Sequence, residues 1–301
     1  MFEHLTNQTI KNAVLEWKQN KNECIKKYGH ISQWNTSYVT DMSMLFQNLM
    51  DFNDDISKWD TSNVTDMKYM FYDAKQFNQP LAFDTRNVTN MKGMFSGAKQ
   101  FNKPLHFDTR NVTNMKGIFS DAVTFNQPLA FDTRNVTDMS CMLYNAVAFN
   151  QPLAFDTRNV TRMEGMLYNA VAFNQQLSFD TRNVTHMNCM LYNAVAFNQP
   201  LAFNTRNVTN MNNIFYGATI FLQRPCSIIK DGLKFAKVNE VYPIALHRLL
   251  KVKCQNSNDT MPLWMVNVFS NEMIMKRILV IGLKNITFVQ NKTHEEHLMS
   301  N

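Results

Sequence analysis

The feature that most constrains this chain of 301 residues is an internal repeat. The motif (W/F)-(D/N)-T-(S/R)-x-V-T-x-M occurs eight times, with spacings of 25 and then six times 24 residues. The copies begin at Trp34, Trp59, Phe83, Phe107, Phe131, Phe155, Phe179 and Phe203. A fixed period of this length is the signature of a stack of units, each of which buries its apolar side only against its neighbours.

The pattern within one copy predicts a strand, a turn and a short helix. Apolar residues recur at i, i+3, i+4 and i+7, which is one stripe of a two-turn helix, at Met91, Met94, Phe95 and Ala98. Residues 105–107 alternate apolar, polar and apolar, the period of a strand, and the polar residues 108–111 are typical of a turn. We therefore expect an α/β solenoid of eight such units with a parallel sheet on one face.

The repeat divides the chain into three parts. Residues 1–33 are expected to form an N-terminal helical cap, with Thr6 or Asn7 as N-cap, Ile10, Val14 and Trp17 on its apolar stripe, and Gly29 just past its end. Residues 34–221 form the repeat array. Residues 222–301 differ in composition and are expected to form a small α+β segment, with a helix at 244–250 and strands at 263–269 and 278–288.

The net charge of +6 is concentrated at the two ends of the chain. The array carries 14 basic and 15 acidic residues, whereas residues 222–301 carry 11 basic and six acidic residues. Because a protein that binds the phosphate backbone needs an excess of Lys and Arg, this balance argues against nucleic-acid binding by the array. The basic segment 222–301 keeps nucleic-acid binding or catalysis open as an alternative.

Several chemical classes find no support in the sequence. The five cysteines contain no CxxC pair, and the spacing of His294 and His297 offers no third metal ligand. No Gly-rich phosphate loop, HExxH or GxSxG motif is present. No run of 18 uncharged apolar residues and no signal-peptide pattern occurs. We therefore expect no cofactor, metal, enzymatic activity or membrane span, and an intracellular rather than secreted protein.

Two consecutive copies carry a resemblance to a known family. WDTSNVTDMKYMFYDAKQFNQPL (59–81) and FDTRNVTNMKGMFSGAKQFNKPL (83–105) resemble the BspA-like leucine-rich-repeat family of mycoplasma-type surface lipoproteins and related proteins. The lead-in at 28–46 also resembles the start of such arrays. The resemblance implies a leucine-rich-repeat-like solenoid with an interaction role and no shared catalytic site. Two departures from the family favour a viral or otherwise intracellular relative: many bacterial members have an export or lipid-anchor signal, which is not visible here, and the Ser of the DTS turn, as at Ser37 and Ser62, is Arg in six copies.

An arginine in each of these six copies forms a column, meaning a set of residues at the same position of successive copies. Its members are Arg86, Arg110, Arg134, Arg158, Arg182 and Arg206. One interpretation is an anion-binding stripe. The other is a charge ladder neutralised by the acidic residues two positions earlier, since unpaired like charges at this spacing would repel. The acidic residues are Asp84, Asp108, Asp132, Asp156 and Asp180.

Asparagines at two positions of the motif are also candidates for a specific role. The NVT triplets, as at Asn111, match the N-glycosylation acceptor, although the turn and helix-cap chemistry of the repeat explains them better. The asparagine after each Phe, as at Asn102, is expected to form a stacked amide ladder that satisfies turn backbone groups.

A tyrosine-bearing strip is the best candidate for partner binding. It consists of Tyr144, Tyr168, Tyr192 and Tyr216, with Val-Ala pairs three residues further on in the first three of these copies. Earlier copies have Lys-Gln in that place, at 75–76 and 99–100. Contiguous apolar area with tyrosines is typical of a protein contact. The alternatives are that these side chains cover the helix edge or the C-terminal segment, or that they reflect recent copying of nearly identical repeats. We expect a non-enzymatic scaffold that binds an as yet unknown protein.

Overall fold

The computed structural model of the chain describes residues 4–219. These residues hold the N-terminal cap and all eight copies of the motif. The predicted helix at 244–250, the two predicted strands and His294 and His297 lie outside the described residues.

Two helices precede the array. Helix α1 (Asn7–Gln19) begins at the N-cap Thr6, whose side chain accepts a hydrogen bond from the amide of Thr9 in a capping box. Helix α2 (Lys21–Tyr28) has Asn20 as its N-cap and Gly29 as its C-cap, and Gly29 has a φ of 79°. A 3-10 turn follows at Ile31–Gln33. The single helical cap of the sequence prediction is thus two helices, because Asn20 ends one and caps the next.

Tryptophans join these helices to the first two copies. Trp34 lies 6.0 Å from Trp17 and 5.9 Å from Trp59 between ring centroids. Each indole N–H has a partner: Trp17 donates to Asp54 Oδ2 at 2.8 Å, and Trp34 and Trp59 donate to backbone carbonyls. The cap therefore covers the apolar end of the array with the Trp17 ring, and the indole N–H groups at this junction all have hydrogen-bond acceptors.

Successive copies, here called coils 1 to 8, pair with each other through parallel backbone bridges. The bridging residue is the one between Thr and Met in the motif, and the series is Asp41, Asp66, Asn90, Asn114, Asp138, Arg162, His186 and Asn210. The preceding Thr amide donates to the coil before, as from Thr89 to Thr65 at 2.9 Å. The following Met amide donates to the coil after, as from Met91 to Asn114 at 3.0 Å.

The segment predicted as a short helix is a series of turns in every coil, which corrects the sequence prediction. Two positions per coil have left-handed φ values of 53–74°. The first column is Met44, Tyr69, Gly93, Gly117, Cys141, Gly165, Cys189 and Asn213. The second is Asn48, Asp73, Gly97, Asp121, Asn145, Asn169, Asn193 and Gly217. A left-handed residue every fourth position cannot continue a right-handed helix.

The amides of these segments show why turns replace the helix. In an α-helix each N–H bonds to the carbonyl four residues earlier. Here alternate N–H groups bond to the next coil instead, as from Tyr69 to Lys92 at 2.8 Å and from Phe71 to Met94 at 2.8 Å. The i, i+3, i+4 pattern still selects buried side chains, because Met91, Met94, Phe95 and Ala98 are fully buried.

The predicted strand at 105–107 is also corrected. Leu105 and Phe107 are buried and His106 is exposed, so the predicted alternation of side chains is present. Within residues 4–219, however, no continuous strand forms, and the region holds a single bridge, Leu177 to Leu201. The regular series of parallel bridges lies instead at the Thr-x-Met of the motif, with one bridging residue per coil.

Stacked phenylalanines fill the core. Phe95 lies 5.5 Å from Phe71 and 5.6 Å from Phe119, centroid to centroid, with nearly parallel rings. A second stack starts at Phe52 and continues through Phe77, Phe101, Phe125, Phe149, Phe173 and Phe197. Each ring inside a stack thus contacts its equivalents on both sides, so identical residues at a 24-residue period favour one register.

Truncation of a core ring tests this packing. Phe119→Ala should lower the free energy of unfolding by ~3–5 kcal/mol, because Phe119 is fully buried and stacks on Phe125 at 4.1 Å. Phe119→Leu is the matched control, since Leu143, Leu167 and Leu191 are buried at the same position, and it should cost less than ~1.5 kcal/mol. Urea unfolding measures both, and equal losses would contradict the assigned core.

Two glycines in left-handed positions give a second test. A Cβ at Gly97 would lie 2.5 Å from Asp73 Oδ1, whereas one at Gly117 would meet nothing closer than 3.8 Å. Both alanine variants bear the left-handed backbone cost of ~1–2 kcal/mol. Gly97→Ala should therefore be less stable than Gly117→Ala in thermal unfolding. The same loss in both variants would show that only backbone conformation matters there.

Candidate interaction surface

The four candidate tyrosines form one continuous stack. The ring centroids of Tyr144, Tyr168, Tyr192 and Tyr216 are separated by 4.4, 4.4 and 4.5 Å, with planes within 10° of parallel. All four side chains are half-buried. The stack therefore presents one aromatic edge to the outside along coils 5 to 8.

Local backbone geometry turns these rings outward. In coil 5 the buried Met142 and Leu143 precede Tyr144, and the left-handed Asn145 follows it. The Tyr144 amide bonds to the carbonyl of Cys141 at 3.1 Å, and its carbonyl accepts from Asp121 at 2.7 Å. Only the side chain of Tyr144 is left to interact with a partner.

Small apolar side chains accompany the tyrosines. Val147 is 36% exposed, and Val171 and Val195, at the same position of the next two coils, are half-buried. The alanines that follow these valines are also half-buried. We call the four tyrosines and these three valines the tyrosine strip. Its apolar area is contiguous because the coils repeat the same residues in register.

An amide ladder next to the tyrosines was missed by the sequence prediction. The Asn145 amide group donates to Asp121 Oδ1 at 2.8 Å, Asn169 donates to Asn145, and Asn193 donates to Asn169 Oδ1 at 2.9 Å. The repeated Tyr-Asn dipeptide was the available signal. This ladder fixes the backbone that carries the rings, so the surface is held in shape before any partner arrives.

Burial raises the pKa of Tyr168 and of Tyr192, and the electrostatic effect of a neighbouring phenol raises it further. These two phenols therefore stay neutral at physiological pH. Neutral hydroxyls at the edge of apolar rings suit a protein contact.

Two thiols lie beside the strip. Cys141 and Cys189 are free, half-buried and left-handed, with φ of 56° and 57°. They occupy one column with Gly165 in the coil between them. Burial raises the pKa of both thiols, which lowers their reactivity. Both are single thiols, because the coil between them has a glycine in that column.

Five members of the arginine column bind the aspartate two residues earlier. The Arg86–Asp84 and Arg110–Asp108 pairs have N–O distances of 2.8 and 2.9 Å, and the other three pairs, at Arg134, Arg158 and Arg182, have the same geometry. Arg206 has Asn204 in place of the aspartate and makes no ion pair within residues 4–219. The geometry is that of a neutralised ladder.

The copies that have serine in place of arginine show what the Arg–Asp pair contributes to the turn. In coil 2, Ser62 takes the place of arginine, and its hydroxyl donates to Asp60 Oδ1 at 2.6 Å. The same aspartate accepts the Ser62 amide, as Asp108 accepts the amide of Arg110. Either residue therefore closes the same turn around the aspartate, and the change from Ser to Arg preserves the fold of the turn.

A shallow cleft of about 510 Å³ opens along this ladder between coils 6 and 7. Its charged lining consists of Asp156, Arg158, Asp180 and Arg182, which pair with each other. An anion entering the cleft would compete with the aspartates, so the lining offers little net attraction.

The motif asparagines tie the coils together. The NVT residue Asn111 donates its amide hydrogen to the Arg86 carbonyl at 2.8 Å. The residue after each Phe accepts from the next coil, as Asn78 Oδ1 does from the amide of Asn102 at 3.0 Å. The predicted amide ladder is thus present, and each NVT amide already has a structural partner.

The part of the chain that the structure describes shows no cluster of three metal-ligating residues. No helix within residues 4–219 is both long and apolar enough to cross a membrane.

The paired aspartates make the stability of the array depend on pH. Hydrogen bonds from the arginines hold the pKa of Asp108, Asp132 and Asp156 below their usual range. Their stabilising effect is complete above the unfolded pKa of about 3.9 and is lost as the pH falls through the lower folded values. Arg110→Ala, Arg134→Ala and Arg158→Ala together should therefore make urea-unfolding stability fall less between about pH 4 and pH 2.

The matched control replaces the same arginines by serine. Serine keeps a side-chain donor to the aspartate, as Ser62 does for Asp60, whose pKa is also lowered. The serine variant should keep the acid sensitivity of the original protein. Identical curves for the alanine and original chains would show that the ion pairs do not shape the pH dependence.

The comparisons with known proteins agree with the repeat. No curated protein and no solved structure matches the chain. A family model described as "Mycoplasma protein of unknown function, DUF285" matches at residues 10–130, 81–178 and 153–230. These overlapping matches span helix α1 from Ile10 onward, helix α2 and every coil. The chain therefore belongs to the repeat family DUF285.

Proposed function

We propose that the chain is a non-enzymatic repeat solenoid that binds another protein through the tyrosine strip. The observation that carries this proposal is the stack of four half-buried tyrosines along coils 5 to 8. Tyrosines in contiguous apolar surroundings are typical hot spots of protein interfaces, each worth ~2 kcal/mol or more.

Differences between coils support this interpretation. Coils 3 and 4 have Ser96 and Ser120 where the later coils have tyrosine, yet their backbone follows the same pattern of turns. The fold therefore does not require a ring at this position. A ring that folding does not require, repeated four times, is best explained by binding.

The alternative function rests on the basic segment 222–301, which lies outside the described residues. Nucleic-acid binding or catalysis by that segment stays a prediction from its charge. The viral or otherwise intracellular origin indicated by the arginine-bearing turns also stays a prediction.

Replacing three rings tests the proposal. Tyr144→Ser, Tyr168→Ser and Tyr192→Ser together should abolish binding of the partner protein but leave the array folded, because serine occupies this position in coils 3 and 4. Loss of the ring stacking should cost ~0.5–1.5 kcal/mol for each pair. Calorimetry measures the stability, and the corresponding phenylalanine variants are the matched control that keeps the rings.

The partner must first be captured through the strip itself. A photo-crosslinking benzoylphenylalanine at position 168 should become linked to the partner in cells that express the chain, and the same group at position 110 should not. The captured protein is then purified and titrated against the serine and phenylalanine variants. Equal affinity for all of them, or crosslinking only from position 110, would refute the proposal.

A further inference from the structure

The surface that carries the tyrosine strip changes its chemistry along the array. We define the turn face as the non-buried side chains between the motif methionine and the buried phenylalanine ten residues later, as between Met91 and Phe101. In coils 2 to 4 this face carries five lysines and two aspartates. In coils 5 to 7 it carries one charge, Glu164.

The charge on the tyrosine half is already paired. Glu164 forms an ion pair with Arg162 and accepts a hydrogen bond from Ser140 Oγ at 2.7 Å. That half is therefore electrically neutral and apolar in character. Charged groups of a partner would add no binding affinity there, and large apolar side chains would add the most.

Four of the five lysines on the other half form no ion pair within residues 4–219, and one of them, Lys75, has its ammonium 3.6 Å from Met50 Sδ. The other three are Lys92, Lys99 and Lys116, whereas Lys68 lies 3.8 Å from Asp66. The Lys92 ammonium lies 5.5 Å from the centroid of the Tyr69 ring, which holds it on the turn face. The Gly117 amide, next to Lys116, bonds to the Ser140 carbonyl at 2.9 Å, so the basic half adjoins the tyrosine half.

Side chains between these lysines are small. The left-handed positions of coils 3 and 4 hold Gly93, Gly97 and Gly117, and the positions equivalent to the tyrosines hold Ser96 and Ser120. Nothing lies within 3.8 Å of the Cβ position of Gly117. The surface is therefore low at Gly117, beside Lys116, whereas the Tyr69 ring lies against Gly93 and the Asp73 carboxylate against Gly97.

The backbone of the turn face is not available for strand pairing. Its amides bond between coils or within turns, as from Gly93 to Lys116 at 2.8 Å and from Gln100 to Lys75 at 3.1 Å. A partner must therefore be recognised by side chains, and its own charge and apolarity decide its affinity.

We propose that the turn face binds an extended segment of a partner protein, with acidic residues over coils 2 to 4 and large apolar residues over coils 5 to 8. This inference rests on the proposed function and names the chemistry of the occupant. Charge complementarity fixes the acidic end on Lys92, Lys99 and Lys116, and the tyrosine strip fixes the apolar end.

The length of the segment follows from the coil spacing. Seven coils at ~4.8 Å span about 29 Å, which an extended chain at ~3.3 Å per residue crosses with about nine residues. Two uneven halves also fix the direction of the segment, because reversing it would place carboxylates on the apolar strip.

A random dodecapeptide display library, selected on the intact chain, tests this proposal. Enriched peptides should carry Asp or Glu clustered at one end and Leu, Phe or Trp at the other. A synthetic peptide of that sequence, labelled with fluorescein, is then titrated by anisotropy. Lys92→Glu, Lys99→Glu and Lys116→Glu together should weaken it at least about tenfold at low salt, with a smaller effect at 500 mM salt.

A control with the same change of net charge reverses three basic residues away from the turn face: Lys18→Glu, Lys26→Glu and Arg206→Glu. It should leave peptide affinity nearly unchanged. Equal weakening by both charge reversals, or selected peptides without acidic residues, would overturn the proposed occupant. So would co-sedimentation of the chain with phosphatidylserine vesicles through the same three lysines.

The tyrosine variant separates this inference from the proposed function. One outcome is that the peptides bind the lysine variant unchanged but lose affinity for the chain with Tyr144→Ser, Tyr168→Ser and Tyr192→Ser. The tyrosine strip would then remain a binding surface, and the proposed contact between the lysines and acidic residues would be refuted. Peptides that bind the tyrosine variant unchanged, or no enriched peptide at all, would refute both.

Discussion

Hydrogen bonding between coils is the interaction on which the rest of the structure depends. Each coil sends alternate amides of its turn segment to the next coil, as Phe95 does to Ile118 at 2.9 Å. This pairing requires two left-handed residues per coil, several of which are not glycine, such as Tyr69 and Cys141. Left-handed backbone costs ~1–2 kcal/mol per residue outside glycine, so a coil without neighbours to bond would not adopt it.

Side-chain ladders follow from the same register. Because every residue meets its equivalent in the next coil, aromatic rings stack on rings and amides bond to amides, as at Phe95 and Asn102. Arginine would meet arginine in the same way, and the aspartate two residues earlier removes that repulsion. In a repeat protein of this kind, a side chain is stable at a given position only if it packs or bonds favourably against the same side chain in the next coil.

Function is possible where the register leaves side chains unconstrained. Inward positions hold Met, Phe, Leu or Ile in all coils, whereas the outward position after them holds Gln47, Tyr72, serine or tyrosine. The turn face is thus a scaffold on which chemistry can change from coil to coil without a change of backbone. Its basic half and its tyrosine half are the result of such changes.

The sequence by itself determined the period, the inward residues and the common side of the tyrosines, because each follows from a 24-residue spacing. It left the arginine column open between an anion-binding stripe and a neutralised ladder, and the structure decided for the ladder. The sequence did not determine the local backbone. The stripe at Met91, Met94 and Phe95 suits a helix and a pair of turns equally, since both place those side chains on one side. Only the tertiary structure decided that this segment forms turns. The neighbouring coils supply the carbonyls that accept hydrogen bonds from the alternate amides, and these bonds offset the free-energy cost of the left-handed residues.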